Sequence, residues 1–450
     1  MKRKFDVSVK LCLILLAGLL AAGGAYAQQD EREERDQQKT KQAQAVSKEV
    51  YDKIQQAQDK VDGEDYKGAL RLLDNLNRSD KLTEYEKSNV LNYIGFVHYN
   101  MGNAVAAIKT YEEMLRIPSL EEQIRKQTVY TLAQLNTMEE QYNKAIKLLD
   151  EWFVLEINPA PDPYILYAQN LYQVNRYKDM IKPIETAMEV ARKRENPVKE
   201  DWYVLLNFAY FQQEDYRKVR DIQKILLVSW PKKRYWFSLA GAYTELGEEN
   251  NLFASYDAAH TQGLLERESE LVTMAQLHMQ HEVPYKAAVL LEAEMETGRV
   301  SRNAKNYRLL SQAWALAQED EKSIPALKEA ARLSDEGELN LRLGNAYLNL
   351  GRYAECVTAV RDGLKKGGIK SPDNAQISLG MCLYNQQKYS AAINAFREAR
   401  KTRRSARIAN QWITVIESDI QRNEQIALAE AAARKQLQEL EKRRATSSRI

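Results

Sequence analysis

A spacing of twelve residues recurs ten times along this 450-residue chain, and no other feature restricts its fold as much. The first member of each pair is a marker position: Ala57, Gly95, Ala133, Ala168, Asn207, Ala240, Ala275, Ser311, Gly344 and Gly380. Its partner slot holds Ala69, Ala107, Ala145, Met180, Val219, Leu252, Ala287, Ser323, Cys356 and Ala392. Successive markers lie 38, 38, 35, 39, 33, 35, 36, 33 and 36 residues apart, so length varies between units and never within them. A hairpin of two closely packed helices, tied to its neighbours by connectors free to stretch, has this property. Small residues dominate both slots because helix backbones approach closely only where no bulky side chain separates them. Asn207, Met180 and Leu252 break that rule and predict looser or rotated packing in their units. Tyr66, Tyr142, Tyr177, Tyr216, Tyr353 and Tyr389 each fall where a second helix should open. Core packing thus accounts for much of the count of 25 tyrosines.

Motifs give the repeat a family likeness. Trp236-x-x-Leu239-Ala240-x-x-Tyr243 is followed by Leu246-Gly247, and Leu343-Gly344-x-x-Tyr347 by Leu350-Gly351. Leu379-Gly380 leads to Ala392-x-x-x-Phe396. Over roughly residues 47–402 the chain resembles tetratricopeptide-repeat proteins, with units just above that family's period of about 34 residues. The resemblance implies an all-α, right-handed α-solenoid of about ten hairpins with a concave, peptide-binding inner face. Pro159, Pro161 and Pro163 cannot all be helical, which predicts an extended connector there, and Asn196-Pro197 offers a second place to bend. Beyond residue 402 the pattern becomes one long helix. Trp412, Ile416, Ile420 and Leu428 mark residues 403–428 as a cap on the last hairpin. Residues 429–450 read as a charged helical tail, fraying from Ala445 onward.

The N-terminus carries a different message. Lys2, Arg3 and Lys4 precede an apolar run from Leu11 to Leu20 that closes on Ala25-Tyr26-Ala27, the pattern of a cleaved secretory signal. Residues 1–27 are therefore expected to be removed, leaving Gln28 first in a bacterial periplasm, with residues 28–46 a polar flexible linker. An uncleaved anchor is the alternative, but Ala21-Ala22-Gly23-Gly24 makes the second half of the run weakly hydrophobic. Cys12 sits inside the apolar run, which argues against lipid attachment. No later stretch reaches 18 apolar residues, so no membrane span is expected after signal removal. An oxidising compartment would permit a disulfide between Cys356 and Cys382. Cys356, however, occupies a small buried slot where a free thiol packs well, and that reading is preferred.

Charge excludes one class of partner. Lys plus Arg number 65 against 63 Asp plus Glu, and removal of residues 1–27 leaves 61 against 62. Nucleic-acid binding needs a positive surplus to displace counterions, so none is expected. Catalytic motifs are missing too. There is no phosphate-binding G-x-x-x-x-G-K-[ST], no G-x-S-x-G, no H-E-x-x-H and no C-x-x-C. His278 and His281 could share a helix face as metal ligands, yet His278 and His98 both stand three residues after a marker, where other units carry Tyr or Trp. Aromatic packing is the simpler reading. The expectation is a non-enzymatic protein without cofactor or metal.

The family resemblance implies that the ligand-facing side chains lie six and three residues before each marker and one, four and five after it. From the second unit to the tenth those slots hold 15 Asn or Gln and eight aromatic residues among 45 positions, but only seven charged ones. The candidate binding residues are Asn92, Phe96, Tyr99 and Asn100, then Tyr130 and Gln134, then Gln169, Tyr172 and Gln173. Phe208, Phe211 and Gln212 follow in the fifth unit, Gln276 and Gln280 in the seventh, and Asn345 and Asn349 in the ninth. Side-chain amides donate and accept, which suits pairing with the backbone of an extended peptide. The plain alternative is that they solvate a helix face. A basic run, Arg397, Arg400, Arg403 and Arg404, reads either as a solvated helix end or as a contact for an acidic partner or anionic lipid headgroups.

Val50–Ala57 and Trp230–Trp236 give the chain a narrower likeness, to periplasmic tetratricopeptide proteins associated with the TonB energy-transduction system. That resemblance implies an accessory scaffold of an envelope complex. A periplasmic chaperone or assembly factor for outer-membrane or peptidoglycan-associated clients is the rival reading, and a regulatory subunit of an enzyme is a third.

Overall fold

The computed structural model describes residues 46–447. The expected signal segment 1–27, and all but the last residue of the linker expected at 28–46, lie outside them. Among the described residues there are 21 helices and no strand. No helix among them is long and apolar enough to cross a membrane. The chain separates into two compact units that meet in sequence at Ala209 and Tyr210.

The first unit holds four helix pairs. They are α1 (Lys48–Asp62) with α2 (Tyr66–Asn77), α3 (Glu84–Asn100) with α4 (Ala104–Met114), α5 (Glu122–Met138) with α6 (Tyr142–Leu155), and α7 (Pro161–Gln173) with α8 (Tyr177–Lys193). The division falls inside α9 (Glu200–Gln212), whose residues to Ala209 complete this unit. The second unit begins with the end of α9 and with α10 (Tyr216–Ser229). It continues through the pairs α11 (Lys233–Glu245) and α12 (Glu249–Thr261), α13 (Glu268–Gln280) and α14 (Pro284–Glu296), and α15 (Ala304–Leu316) and α16 (Asp320–Leu333). The pairs α17 (Glu338–Asn349) and α18 (Tyr353–Lys366), and α19 (Pro372–Asn385) and α20 (Tyr389–Arg400), lead into α21 (Ala406–Ser447). Consecutive helices pack on one another from α1 to α8 and from α10 to α21.

The marker and partner slots are where these helices come together. Ala133, Ala168, Ala275, Ala69, Ala107, Ala145, Ala287, Cys356 and Ala392 are all wholly buried. A Cβ added to Gly95 would lie 2.6 Å from the Tyr111 ring, and one added to Gly380 would lie 2.7 Å from Phe396. At Gly344 it would collide with Val360. Leu73, Leu132, Leu171 and Leu271 fill the space beside these contacts. Each such leucine contributes on the order of 2 kcal/mol by leaving water. Two of the three departures behave as expected, since Asn207 and Leu252 are only half-buried. Met180 does not: it is wholly buried, its unbranched chain filling the contact rather than loosening it.

Every turn between paired helices uses one backbone device. The residue seven after the marker is left-handed in all ten pairs, with φ between 57° at Glu214 and 73° at Gly102. Only Gly102, Gly247 and Gly351 are glycines; Asn175 is the residue next best suited, and the other six are Glu or Gln. Two residues later the second helix opens, and all six tyrosines expected there are first helical residues.

Three expectations change. Pro161 and Pro163 lie in the first turn of α7, where a missing N–H costs no hydrogen bond, so only residues 156–160 form the irregular connector. The cap expected at 403–428 is shorter than that span, and the helical tail expected at 429–450 continues the same helix, α21, which is unbroken from Ala406 to Ser447. Its apolar packing on the last hairpin, through Ala409, Ile413 and Ile416 with Trp412 and Ile420, ends at Ile420; Asn423 still donates to the Tyr389 hydroxyl at 3.5 Å, and Leu428 is exposed. Finally, Cys356 and Cys382 form a disulfide rather than free thiols, with Cα atoms 6.1 Å apart. The helices α18 and α19 pack side by side, which brings the two slots within bridging reach.

Replacing Gln318 by Gly should stabilise the protein by about 0.5–1 kcal/mol, since glycine removes the left-handed strain at φ 61°. Thermal unfolding of that variant beside Gly351→Val, which should lose more than 1 kcal/mol, checks the assignment. The disulfide closes a separation of 26 residues, worth about 3 kcal/mol in the chain-entropy description. Its reduction, or Cys356→Ala with Cys382→Ala, should lower the unfolding midpoint of the second unit, followed by circular dichroism.

Candidate functional site

The residues left over by this packing define the candidate face. On α3, Asn92, Phe96, Tyr99 and Asn100 stand at intervals that share one helix side. Ile94 and Gly95 turn the opposite side into the core. The same intervals group Gln169, Tyr172 and Gln173 on α7, Gln276 and Gln280 on α13, and Asn345 and Asn349 on α17. Of the sixteen candidate side chains none is buried.

Among the described residues nine of their side-chain amides form no hydrogen bond: Asn92, Asn100, Gln169, Gln173, Gln212, Gln276, Gln280, Asn345 and Asn349. Buried amides elsewhere in the first unit behave differently. Asn170 donates to the Leu166 carbonyl at 2.8 Å and to Thr137 at 2.9 Å, and Asn136 donates to the Leu132 carbonyl at 2.7 Å. Gln134 stands apart from the other candidates, because it lies near the Tyr130 hydroxyl and lowers its value slightly. Burial first, and then Asp162, outweighs this and pushes Tyr130 up to about 12. Its ring lies 5.0 Å from Trp152, so Tyr130 and Gln134 form a fixed wall rather than free binding groups.

The aromatic candidates divide in the same way. Phe208 lies edge-on to Tyr172 at 5.1 Å and to Tyr177 at 5.2 Å, which spends part of its surface inside the first unit. Phe96 and Tyr99 are half-exposed and make no ring contact. In the second unit Phe211 is 50% exposed and touches Tyr216.

The end of the second unit is closed. Tyr384 occupies a ligand-facing slot of the last hairpin, yet it donates to Asp419 of α21 at 2.7 Å and stands 5.4 Å from the Trp412 ring. Helix α21 thus takes the place a ligand would have there. Phe396 stacks on Trp412 from the other side at 5.6 Å.

The basic run does not survive as a unit. Arg404 donates through Nε to Asp373 at 2.7 Å, and Ser405 donates to the same carboxylate. Asp373 is buried, and these two bonds hold its carboxyl far below the usual carboxylate range. Arg404 is therefore a structural latch between the start of α19 and the start of α21. Arg400 donates to Asn410 at 3.4 Å. Arg397 and Arg403 remain exposed and unpaired. Sequence reading missed Asp373, which follows Ser371-Pro372 and reads there as an ordinary acidic residue at a helix start.

The histidines pack as rings. His278 lies edge-on to Phe253 at 5.5 Å and His281 stacks on it at 4.4 Å. Burial holds His278 and His98 below the usual imidazole value, which favours the neutral ring. Among the described residues no group of three His, Cys, Asp or Glu is placed to hold a metal ion.

Comparison with known proteins singles out one hairpin. Residues 337–365 match the tetratricopeptide repeat family. This tetratricopeptide repeat is the pair α17 and α18, and the other nine pairs carry its marker, left-handed turn and partner slot at the same intervals. No curated protein matches the sequence. Solved structures similar to the chain include a tetratricopeptide repeat protein from Parabacteroides merdae, at 14% identity and TM-score 0.35, over 64% of this chain and 94% of that one. The TPR2AB domain of yeast Sti1 in its HSP90 complex is similar at 16% identity and TM-score 0.33, over 59% and 98%. MamA from Desulfovibrio magneticus is similar at 14% identity and TM-score 0.33, over 41% and 96%.

The Asp373 latch has a pH signature. A depressed folded-state value contributes stability that is fully present above the unfolded value of about 3.9 and is lost as pH falls below it. Asp373→Asn should therefore lower the unfolding temperature at pH 7 and change it much less at pH 2. Thermal scans of both proteins across that range check the sign.

Proposed function

We propose that this protein is a non-enzymatic scaffold that binds extended segments of partner proteins on the first helices of its hairpins. The observation that carries the reading is the set of nine unspent amides on the first helices, joined in the first unit by the partly exposed rings of Phe96, Tyr99 and Tyr172. An extended backbone offers alternating donors and acceptors that such amides can match, and apolar partner side chains would lie on Phe96 and Tyr99.

The location we propose is the periplasm. The Lys2-to-Ala27 pattern supports export, and the bridged Cys356 and Cys382 suit an oxidising compartment. The role we propose there is accessory to a TonB-type energy-transduction complex of the envelope, on the likeness of Val50–Ala57 and Trp230–Trp236 to proteins of that kind.

Asn92, Asn100 and Gln169 all lie in the first unit, and their side-chain amides form no hydrogen bond among the described residues. Changing the three together to Ala should weaken binding of a captured partner at least tenfold while leaving helicity intact. Affinity should change little between low and high salt, because screening weakens exposed charge pairs far more than buried amide pairing. A photocrosslinker at Asn92 in intact cells should retrieve a fixed set of envelope proteins. Retrieval of many unrelated clients, with suppression of their aggregation, would instead make the protein a chaperone. Normal binding by the triple variant would remove this face as the site.

A further inference from the structure

Helix α21 carries more apolar surface than the last hairpin covers. From Gln421 to Glu441 every residue is exposed, although the helix continues without a break. Six large apolar side chains of α21 face solvent: Ile408, Val415, Ile426, Leu428, Leu437 and Leu440, at 46% to 65% exposure. At about 100° per residue, five of them fall within a sector of about 60°, with Leu428 alone outside it. Their separations of 7, 11, 11 and 3 residues are those that return to one helix side. This stripe is rotated by about 110° from Ala409, Ile413 and Ile416, which pack on the last hairpin, so it does not continue the capping contact. Ala429 and Ala433 lie on the stripe and would let a second helix approach closely.

Charge along the same helix is segregated. Residues 417–430 hold Glu417, Asp419, Glu424 and Glu430 against Arg422, a net −3. Residues 431–444 hold Arg434, Lys435, Lys442, Arg443 and Arg444 against Glu439 and Glu441, a net +3. The helix macrodipole does not explain the acidic block, because that field acts on the first turn, where α21 has no acidic residue. The block begins eleven residues after Ala406.

We propose that the exposed part of α21 pairs with the same helix of a second copy of this chain, in antiparallel orientation. Antiparallel pairing with the two-fold axis near Glu430 and Ala431 lays each acidic block against the partner's basic block and covers Ile426, Leu437 and Leu440 of both copies, while Ile408 and Val415 lie outside the overlap. Parallel pairing would oppose like blocks and is disfavoured. The contact is isologous, so it closes at two copies.

Sedimentation of the whole chain tests this. Two copies are expected at micromolar concentration. Changing Ile426, Leu437 and Leu440 together to Gln should weaken association at least 100-fold with helicity unchanged, since these side chains take no part in the core of the last hairpin. Glu424→Lys with Glu430→Lys, and separately Arg434→Glu with Lys435→Glu, should each weaken it at least tenfold, and mixing the two variants should restore a heterodimer. A short bis-maleimide linker should crosslink Ala433→Cys, near the axis, to its own copy, and should not crosslink Leu440→Cys, whose copies lie about 28 Å apart along the axis. A single copy at all concentrations overturns the proposal, as does a Leu440→Cys crosslink as efficient as that of Ala433→Cys. Binding of the single-copy chain to anionic vesicles would overturn it too, by assigning the stripe to a lipid surface.

Discussion

Close approach of two helix backbones, at slots twelve residues apart, sets the rest of this structure. Where the slot is glycine the tolerance is smallest, and a single added carbon at Gly95 or Gly380 would overlap an aromatic ring. The approach is possible only if the chain reverses tightly. A left-handed residue seven positions after each marker supplies the reversal. Contact and turn together fix which side of each first helix faces its partner. The opposite side is left outside the core, and Asn92, Asn100 and their equivalents occupy it. The candidate binding face is thus a consequence of the packing rule.

The end of the chain shows the same physics applied to a different problem. A stack of hairpins exposes the apolar side of its last member unless something covers it. Helix α21 covers it through Ala409, Trp412, Ile413 and Ile416, and the Arg404–Asp373 pair and the Tyr384–Asp419 bond hold the helix in place. Once that task ends at Ile420 the helix continues into solvent, with its apolar stripe and its divided charge. The first helices of the hairpins carry amides with few charges; the exposed part of α21 carries dense charge and an apolar seam. These are surfaces of two kinds, suited to an extended peptide and to another helix.

Disulfide, latch and ring contacts each follow from adjacency that no local pattern encodes. Cys356 and Cys382 belong to different hairpins, and their 6.1 Å approach depends on α18 lying against α19. Asp373 and Arg404 are 31 residues apart and meet because α21 returns to the start of α19. Phe208 reads as a free aromatic residue on its own helix, and only the packing of α7 and α8 beside it brings Tyr172 and Tyr177 against its ring.

Helical class, the number of pairs, the marker and partner slots and the tyrosines that open second helices were all legible from residue spacing. The reason is that a helix hairpin is a local object: its contacts join residues about a dozen positions apart, and periodicity records them directly. The motif Trp236-x-x-Leu239-Ala240-x-x-Tyr243, for example, lies wholly on the first helix of the sixth pair, Lys233–Glu245. The left-handed turns were legible only where glycine stands, because Glu and Gln do not announce that conformation, and the surrounding contacts impose it on them. Which amides stay unspent, which arginine is latched, where the cap ends and whether the thiols bond were decided by tertiary structure alone. Each depends on the meeting of separate helices, and connectors of varying length keep that meeting out of reach of any fixed spacing.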